Sequence, residues 1–239
     1  MMKGLLWGLC FLLFAVSGWA KDKKVTGTGY VLMSQRPSEV RFEKISVQQG
    51  ITLYVTLDKT ATISVESDDN ILPYIKTEIK NNQLNVYIEP GISIRRYTVM
   101  NVLVTLPRLV RLEAASAARI EGSALLRVDQ LEVVASGASN MKLEVKGNEL
   151  QVEASGASRL ELKGEVKQLD LNLSTASYLK AWELSADTCN ADISNAAKGE
   201  IFVRQKLNAE ISSSGLLLYD GSPVITRNLS SGGSLVKRR

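Results

Sequence analysis

The chain has 239 residues, 29 Lys and Arg against 25 Asp and Glu, a net charge of +4, and no histidine. Such a balance gives no strong bias toward nucleic acid or a membrane surface. The missing histidine excludes Ser-His-Asp and Cys-His nucleophile systems, His-ligated zinc and the commonest general base.

Residues 1–20 read as a cleaved secretory signal. Lys3 gives a basic start, Gly4 to Val16 is apolar, and Gly18-Trp19-Ala20 puts cleavage between Ala20 and Lys21. The apolar run of thirteen is shorter than the span of about twenty that a bilayer requires. Cys10 follows Leu9, where a lipoprotein would carry a small residue, so no lipid anchor is expected. Loss of Lys3 leaves +3 (4 − 1), and Cys189 becomes the lone cysteine. One thiol closes no internal disulfide, so an exported chain must be held by packing. Cys189 itself reads as a buried small hydrophobe rather than a nucleophile.

Residues 21–38 read as a loose leader. Within 39–106, Phe42 to Val47, Ile51 to Thr56, Thr62 to Val65, Leu84 to Ile88 and Val99 to Leu106 alternate apolar and polar, the pattern of half-buried strands. Lys80-Asn81-Asn82-Gln83 suits a hairpin turn, and Pro90-Gly91 is a second break. This β-rich part would cover the first coil of the repeats that begin after residue 106, since solenoid ends need protection. Gly27-Thr28-Gly29 leads into no third glycine and no helix, which excludes a nucleotide-binding loop.

From 107 to 235 a unit of about nineteen residues recurs. Its anchor column is Leu112, Leu131, Leu150, Leu169, Cys189, Leu207. The next residue is always polar: Glu113, Glu132, Gln151, Asp170, Asn190, Asn208. From the second unit a small-residue corner comes next, as in Ser136-Gly-Ala-Ser, Ser155-Gly-Ala-Ser and Ser174-Thr-Ala-Ser. A second alternation then sends Met141 and Leu143, Leu160 and Leu162, and Leu217 and Tyr219 inward. One further apolar residue closes each unit: Val145, Val166, Leu184, Val203, Val224. No unit can bury its own apolar face, so the units stack, and strands joined by tight corners give an all-β parallel β-helix. The fixed Asn of leucine-rich repeats and the Gly-Gly-x-Gly-x-Asp of calcium rolls are both missing.

Four stretches together resemble one bacterial family, the auto-transporter adhesins with a head GIN domain. They are Phe42 to Leu57 with Gly50-Ile51-Thr52, Glu66 to Ile75, Val102 to Leu109, and the repeated Ser-Gly-Ala-Ser corners. The resemblance covers about residues 39–235. It implies an exported cell-surface or secreted protein, of a kind found in Bacteroidetes-like bacteria, with an adhesive role and no catalytic residues. Where the family often carries Asp after the corner, this chain has Asn140, Arg159, Tyr178 and Lys198.

Two outward faces are candidates for contact. The first joins Glu132, Gln151, Asp170, Asn190 and Asn208 with Glu153, Asp192 and Glu210, without a basic residue in either column. The second alternates Lys142, Glu161, Lys180 and Glu200, which reads as a charge ladder. Tyr178 and Trp182 are the aromatics best placed for contact. The expected function is therefore a non-enzymatic adhesin or binding protein that takes a glycan, a matrix protein or an envelope protein and needs no cofactor or metal. A periplasmic protein-partner module is the alternative. A polysaccharide-cleaving enzyme is third, because the coils lack the long loops that would build a cleft. The terminal Lys237-Arg238-Arg239 reads as a solvated basic tip.

Overall fold

Alternating apolar residues force this chain into strands that each bury one face, and the strands then add edge to edge. A computed structural model describes residues 22–38 and 41–238. The signal segment 1–20 and the Ala20/Lys21 cleavage position lie outside the described residues. The N-terminal part contains β1 (Lys23–Thr26), β2 (Val31–Arg36), β3 (Lys44–Val47), β4 (Thr52–Leu57), β5 (Thr62–Asp68), β6 (Ile75–Lys80), β7 (Gln83–Ile88), β8 (Ile92–Arg96) and β9 (Met100–Leu106). The coils contain β10 (Arg111–Ala114), β11 (Arg119–Gly122), β12 (Leu126–Arg127), β13 (Gln130–Ala135), β14 (Asn140–Ala154), β15 (Arg159–Leu173) and β16 (Tyr178–Ile193). They end with β17 (Lys198–Ile211), β18 (Leu216–Gly221), β19 (Val224–Leu229) and β20 (Ser234–Lys237). Among the described residues the one helical element is a single 3₁₀ turn, Leu72–Tyr74.

The parallel β-solenoid expected from the repeat is observed, with about seven stacked turns. Each long strand pairs in parallel with its equivalents one coil before and after, as Leu150 does with Leu131 and Leu169. Inward columns interdigitate into one core; Leu150, Leu169, Cys189 and Leu207 are at most 1% exposed. Side chains from every coil join in one buried apolar core.

The corners explain the small residues. In Ser136-Gly137-Ala138-Ser139 the middle two residues are left-handed, with φ of 57° and 62°. Their backbone bonds run along the stack: Ala138 N–H to Gly156 O at 2.8 Å, then Ala157 N–H to Thr175 O at 3.1 Å. Corner backbones therefore touch between coils, and a Cβ at Gly156 would lie 2.9 Å from Gly137 N. The last corner residue turns inward, where Ser139, Ser158 and Ser177 are buried.

The register departs from expectation in the first unit. Leu112 pairs with Val133, not Leu131, and Ala114 pairs with Ala135. The first corner is Ala115-Ser116-Ala117-Ala118, with Ser116 and Ala117 at positive φ. Extra residues around Ser123 lengthen that coil, so the leucine that matched the anchor by sequence belongs to the next inward column. Val224 is a second correction. It pairs with Lys206 on the outward side and is 74% exposed, because the Gly221-Ser222-Pro223 return brings it there instead of into the core.

Toward the N-terminus the period disappears but the stacking does not. Strand β3 pairs in parallel with β10 and with β7, and β4 pairs with β11 and with β9. The insertions between these strands hide the repeat. Antiparallel strands then close both walls, β6 against β7 and the series β9-β5-β2. The turn at Asn81-Asn82 has both φ positive, 53° and 62°, as a two-residue hairpin demands.

The segment 22–38 is not a loose leader. Strand β1 pairs with β8, and β2 pairs antiparallel with β5. Asp68, fully buried, ties the segment down by accepting the N–H groups of Gly29 at 2.6 Å and Thr98 at 2.7 Å, and the Thr98 hydroxyl at 3.0 Å. Gly27 is required because any Cβ there would lie 2.6 Å from the Asp68 carboxyl carbon. The Thr98 N–H, opposed by burial and joined by the Gly29 and Thr98 hydroxyl bonds, holds the Asp68 carboxyl below its ordinary value.

Candidate binding face

The wall formed by β13, the C-terminal halves of β14 to β17, and β19 sends every second residue outward. Backbone register aligns Glu132, Gln151, Asp170, Asn190 and Asn208 in one straight column, as expected. Beside it run Glu153, Asn172, Asp192 and Glu210, with Glu153, Asp192 and Glu210 exposed. Adjacent positions in each column are separated by the strand spacing, about 4.8 Å.

Side-chain bonds order the first column. Asn208 donates its amide to Asn190 Oδ1 at 2.8 Å, and Asn190 donates to Asp170 Oδ1 at 2.7 Å. Gln168 donates to the other Asp170 oxygen at 2.6 Å. Gln151 and Gln130 both donate to Glu149, at 2.6 Å and 2.9 Å. A shallow open trough lies over Asp170, Asn190, Asp192 and Asn208. Over Asp170 to Asn208 the surface is flat and holds fixed acceptors and amide donors, and a recess opens beyond Gln151 among Glu149, Glu132, Arg111 and Lys44.

The column is not free of basic residues once the first coil is in register. Arg111 occupies the place beside Glu132, with Lys44 one strand further on. Glu113, assigned to this column from sequence, belongs to the other one, opposite Val134. Arg111 pairs with Glu132 and, at 3.3 Å, with Glu113. Burial opposes its charge, but the hydrogen bonds it donates to these two carboxylates outweigh that and raise the Arg111 pKa. Glu132 is therefore engaged, and the open part of the face runs from Gln151 to Asn208.

Tyr178 and Trp182 lie on a different wall and do not join this column. Tyr178 aligns with Arg159 and Lys198. Trp182 stands in a bulge: Ala181 and Trp182 together face Leu162, and Trp182 to Leu184 have no register partner in the next coil. Both rings carry an internal cation, Lys198 at 5.1 Å from the Tyr178 centroid and Arg238 at 4.8 Å from that of Trp182. Arg238 thus lies over Trp182 while it and Lys237 stay exposed, and the Arg238 backbone N–H also reaches Tyr219 O at 2.8 Å.

Between the rings sits the buried carboxylate of Glu200, 2.6 Å from Lys198. Burial disfavours its charge, yet Lys198, the Tyr178 hydroxyl and Trp182 lower its pKa. Burial and Glu200 push Tyr178 up to about 12. The charge ladder of this wall keeps its predicted register through Lys142, Glu161, Lys180 and Glu200, with Lys180 and Glu161 3.3 Å apart. Occupied rings and paired charges leave the wall little capacity for a ligand.

Cys189 is 1% exposed in the anchor column, and burial, aided by Asp170, pushes its thiol pKa upward. A protonated, enclosed thiol is unreactive. Among the described residues no group of three or more acidic or cysteine side chains is placed to hold a metal ion. Nor is any described helix long and apolar enough to cross a membrane.

Solved structures share the fold. A "putative adhesin" of Bacteroides fragilis NCTC 9343 superposes with a TM-score of 0.79 at 21% identity, covering 89% of this chain and 98% of its own. A "putative lipid binding protein" of Parabacteroides distasonis ATCC 8503 gives 0.75 at 21%, covering 91% and 100%. A "putative adhesin" of Parabacteroides merdae ATCC 43184 gives 0.72 at 21%, also covering 91% and 100%. No curated protein matches the sequence. A family profile described as "Putative auto-transporter adhesin, head GIN domain" matches residues 41–223, and with this span of the solenoid accounted for, the chain belongs to that family.

Proposed function

We propose that the protein is a non-enzymatic, exported binding rod that attaches at the cell surface to hydroxyl-rich polymers such as polysaccharides. The carrying observation is the hydrogen-bonded run Asp170, Asn190 and Asn208, continued in register by Gln151 and flanked by exposed Glu153, Asp192 and Glu210. Fixed carboxylate and amide groups repeating at strand spacing suit a ligand that itself repeats and donates hydroxyl bonds. Charge-assisted hydrogen bonds to the carboxylates would supply the stronger contacts. Family membership supports the adhesive role. The filled interior disfavours an acyl-chain tunnel of the sort a lipid carrier needs.

The test is a polysaccharide and glycan array probed with residues 22–239 and with an Asp170→Lys, Asn190→Lys variant, both checked for unchanged thermal melting. Binding by the parent and its loss in the variant is the expected outcome. Failure of the parent to bind any polysaccharide, or binding that survives the double substitution, refutes the reading. Protease shaving of whole cells tests location: cleavage before the outer membrane is opened supports the surface, and protection overturns it.

A further inference from the structure

The two ends of the solenoid differ. At the N-terminal end antiparallel strands and the Asp68 cluster close the core. At the other end β19 pairs with β17, and β20 with β18, each along one edge only among the described residues. All six residues of β19 are exposed.

The last coil breaks the inward pattern in a particular way. Ile225, Arg227 and Leu229 continue the inward columns of Leu207, Ala209 and Ile211. Ile225 and Leu229 are 37% and 40% exposed, since among the described residues no strand lies beneath them. Arg227 places a cation where every earlier coil has a buried apolar residue. On β20, Lys237 does the same below Tyr219. Residues 222–238 contain Arg227, Lys237 and Arg238 and no acid at all.

We propose that this end is a docking edge for an extended segment of a protein partner, one carrying an acidic residue between two aliphatic residues. Such a strand would satisfy the free backbone groups of β19, cover Ile225 and Leu229, and set its carboxylate against Arg227. Charge decides the occupant. A second copy meeting this one end to end would bring two basic ends together, with Arg227 and Lys237 on both sides and no acid in residues 222–238 of either. A further coil like the preceding ones would bury Arg227 against an apolar residue, leaving a desolvated charge without a counterion. Only an acid at the matching position removes both problems. An inward cation at a sheet edge also guards against indiscriminate strand addition, and the same device gives selectivity once a partner supplies the opposite charge.

The experiment uses residues 22–239 and two fluorescent peptides, Thr-Val-Thr-Glu-Thr-Ile-Thr and its twin with Lys in place of Glu, monitored by anisotropy. The Glu peptide should bind at least about tenfold more tightly than the Lys peptide, with the difference shrinking in high salt. Arg227→Glu, at an exposed position, should retain thermal stability and reverse the preference. Equal binding of the two peptides, or binding of neither, overturns the proposal. So does a wild-type dimer in sedimentation velocity that Arg227→Glu dissociates, since the occupant would then be a second copy. If Arg227→Val self-associates while the parent binds neither peptide, Arg227 only guards the edge and the proposal fails.

Discussion

Truncating one inward column at two heights measures how burial varies along the rod. Leu169 and Ile225 belong to the same anchor column, three coils apart. Leu169 is 0% exposed and flanked above and below by Leu150 and Cys189. Leu169→Ala removes three carbons worth about 0.8 kcal/mol each in transfer, and leaves a cavity between two coils, so about 3–4 kcal/mol is expected. Ile225 is 37% exposed, with a coil on one side only among the described residues. Its truncation loses roughly 60% of the transfer contribution and creates no closed cavity, so Ile225→Ala should cost about 1–1.5 kcal/mol. Guanidinium unfolding of the two variants beside the parent gives both values, and unchanged m-values show that the same structure is unfolding. Equal losses at the two positions would contradict this account, because Ile225 would then have to be covered in solution.

Three further outcomes rest on specific contacts. The depressed Asp68 pKa means that its stabilisation is present above the unfolded value of 3.8 and is lost as pH falls through the lower folded value; thermal melts from pH 2 to 6 should show a steeper acid loss for the parent than for Asp68→Asn. Cys189 should resist a thiol reagent at pH 8 in the native state and react fully in denaturant; prompt native labelling would contradict its burial. Gly164 has φ of 114°, and a Cβ there would lie 2.0 Å from Val145 O, whereas one on Gly29, at φ 83°, would touch nothing. Gly164→Ala should therefore cost more than about 2 kcal/mol and Gly29→Ala about 1 kcal/mol in chemical unfolding.

Much of the scaffold could be read from residue order. The columns from Leu131 to Leu207 and the Ser-Gly-Ala-Ser corners keep their expected register because each obeys a local rule, alternation within strands and small residues where corner backbones touch. Three misreadings share one cause. Leu112 imitated an anchor, Val224 imitated a closing apolar residue, and the partners of β1 and β2 lie far away in sequence, so none of the three reveals its neighbour across the sheet. Of the candidate face, the column from Gln151 to Asn208 was legible. The entry of Arg111 beside Glu132 was not, because it depends on the length of the first coil. Tyr178 and Trp182 were correctly placed outward, but the cations that cover their rings come from the next coil and from Arg238 near the C-terminus.

Residue order alone settles the architecture: a period of about nineteen residues with two alternating strands can bury its apolar side only by stacking. Which outward groups remain available, and which end stays open, emerges once the coils are assembled. Charge pairing and core coverage depend on what stands one strand spacing away, and in a parallel sheet that neighbour is a whole coil removed along the chain.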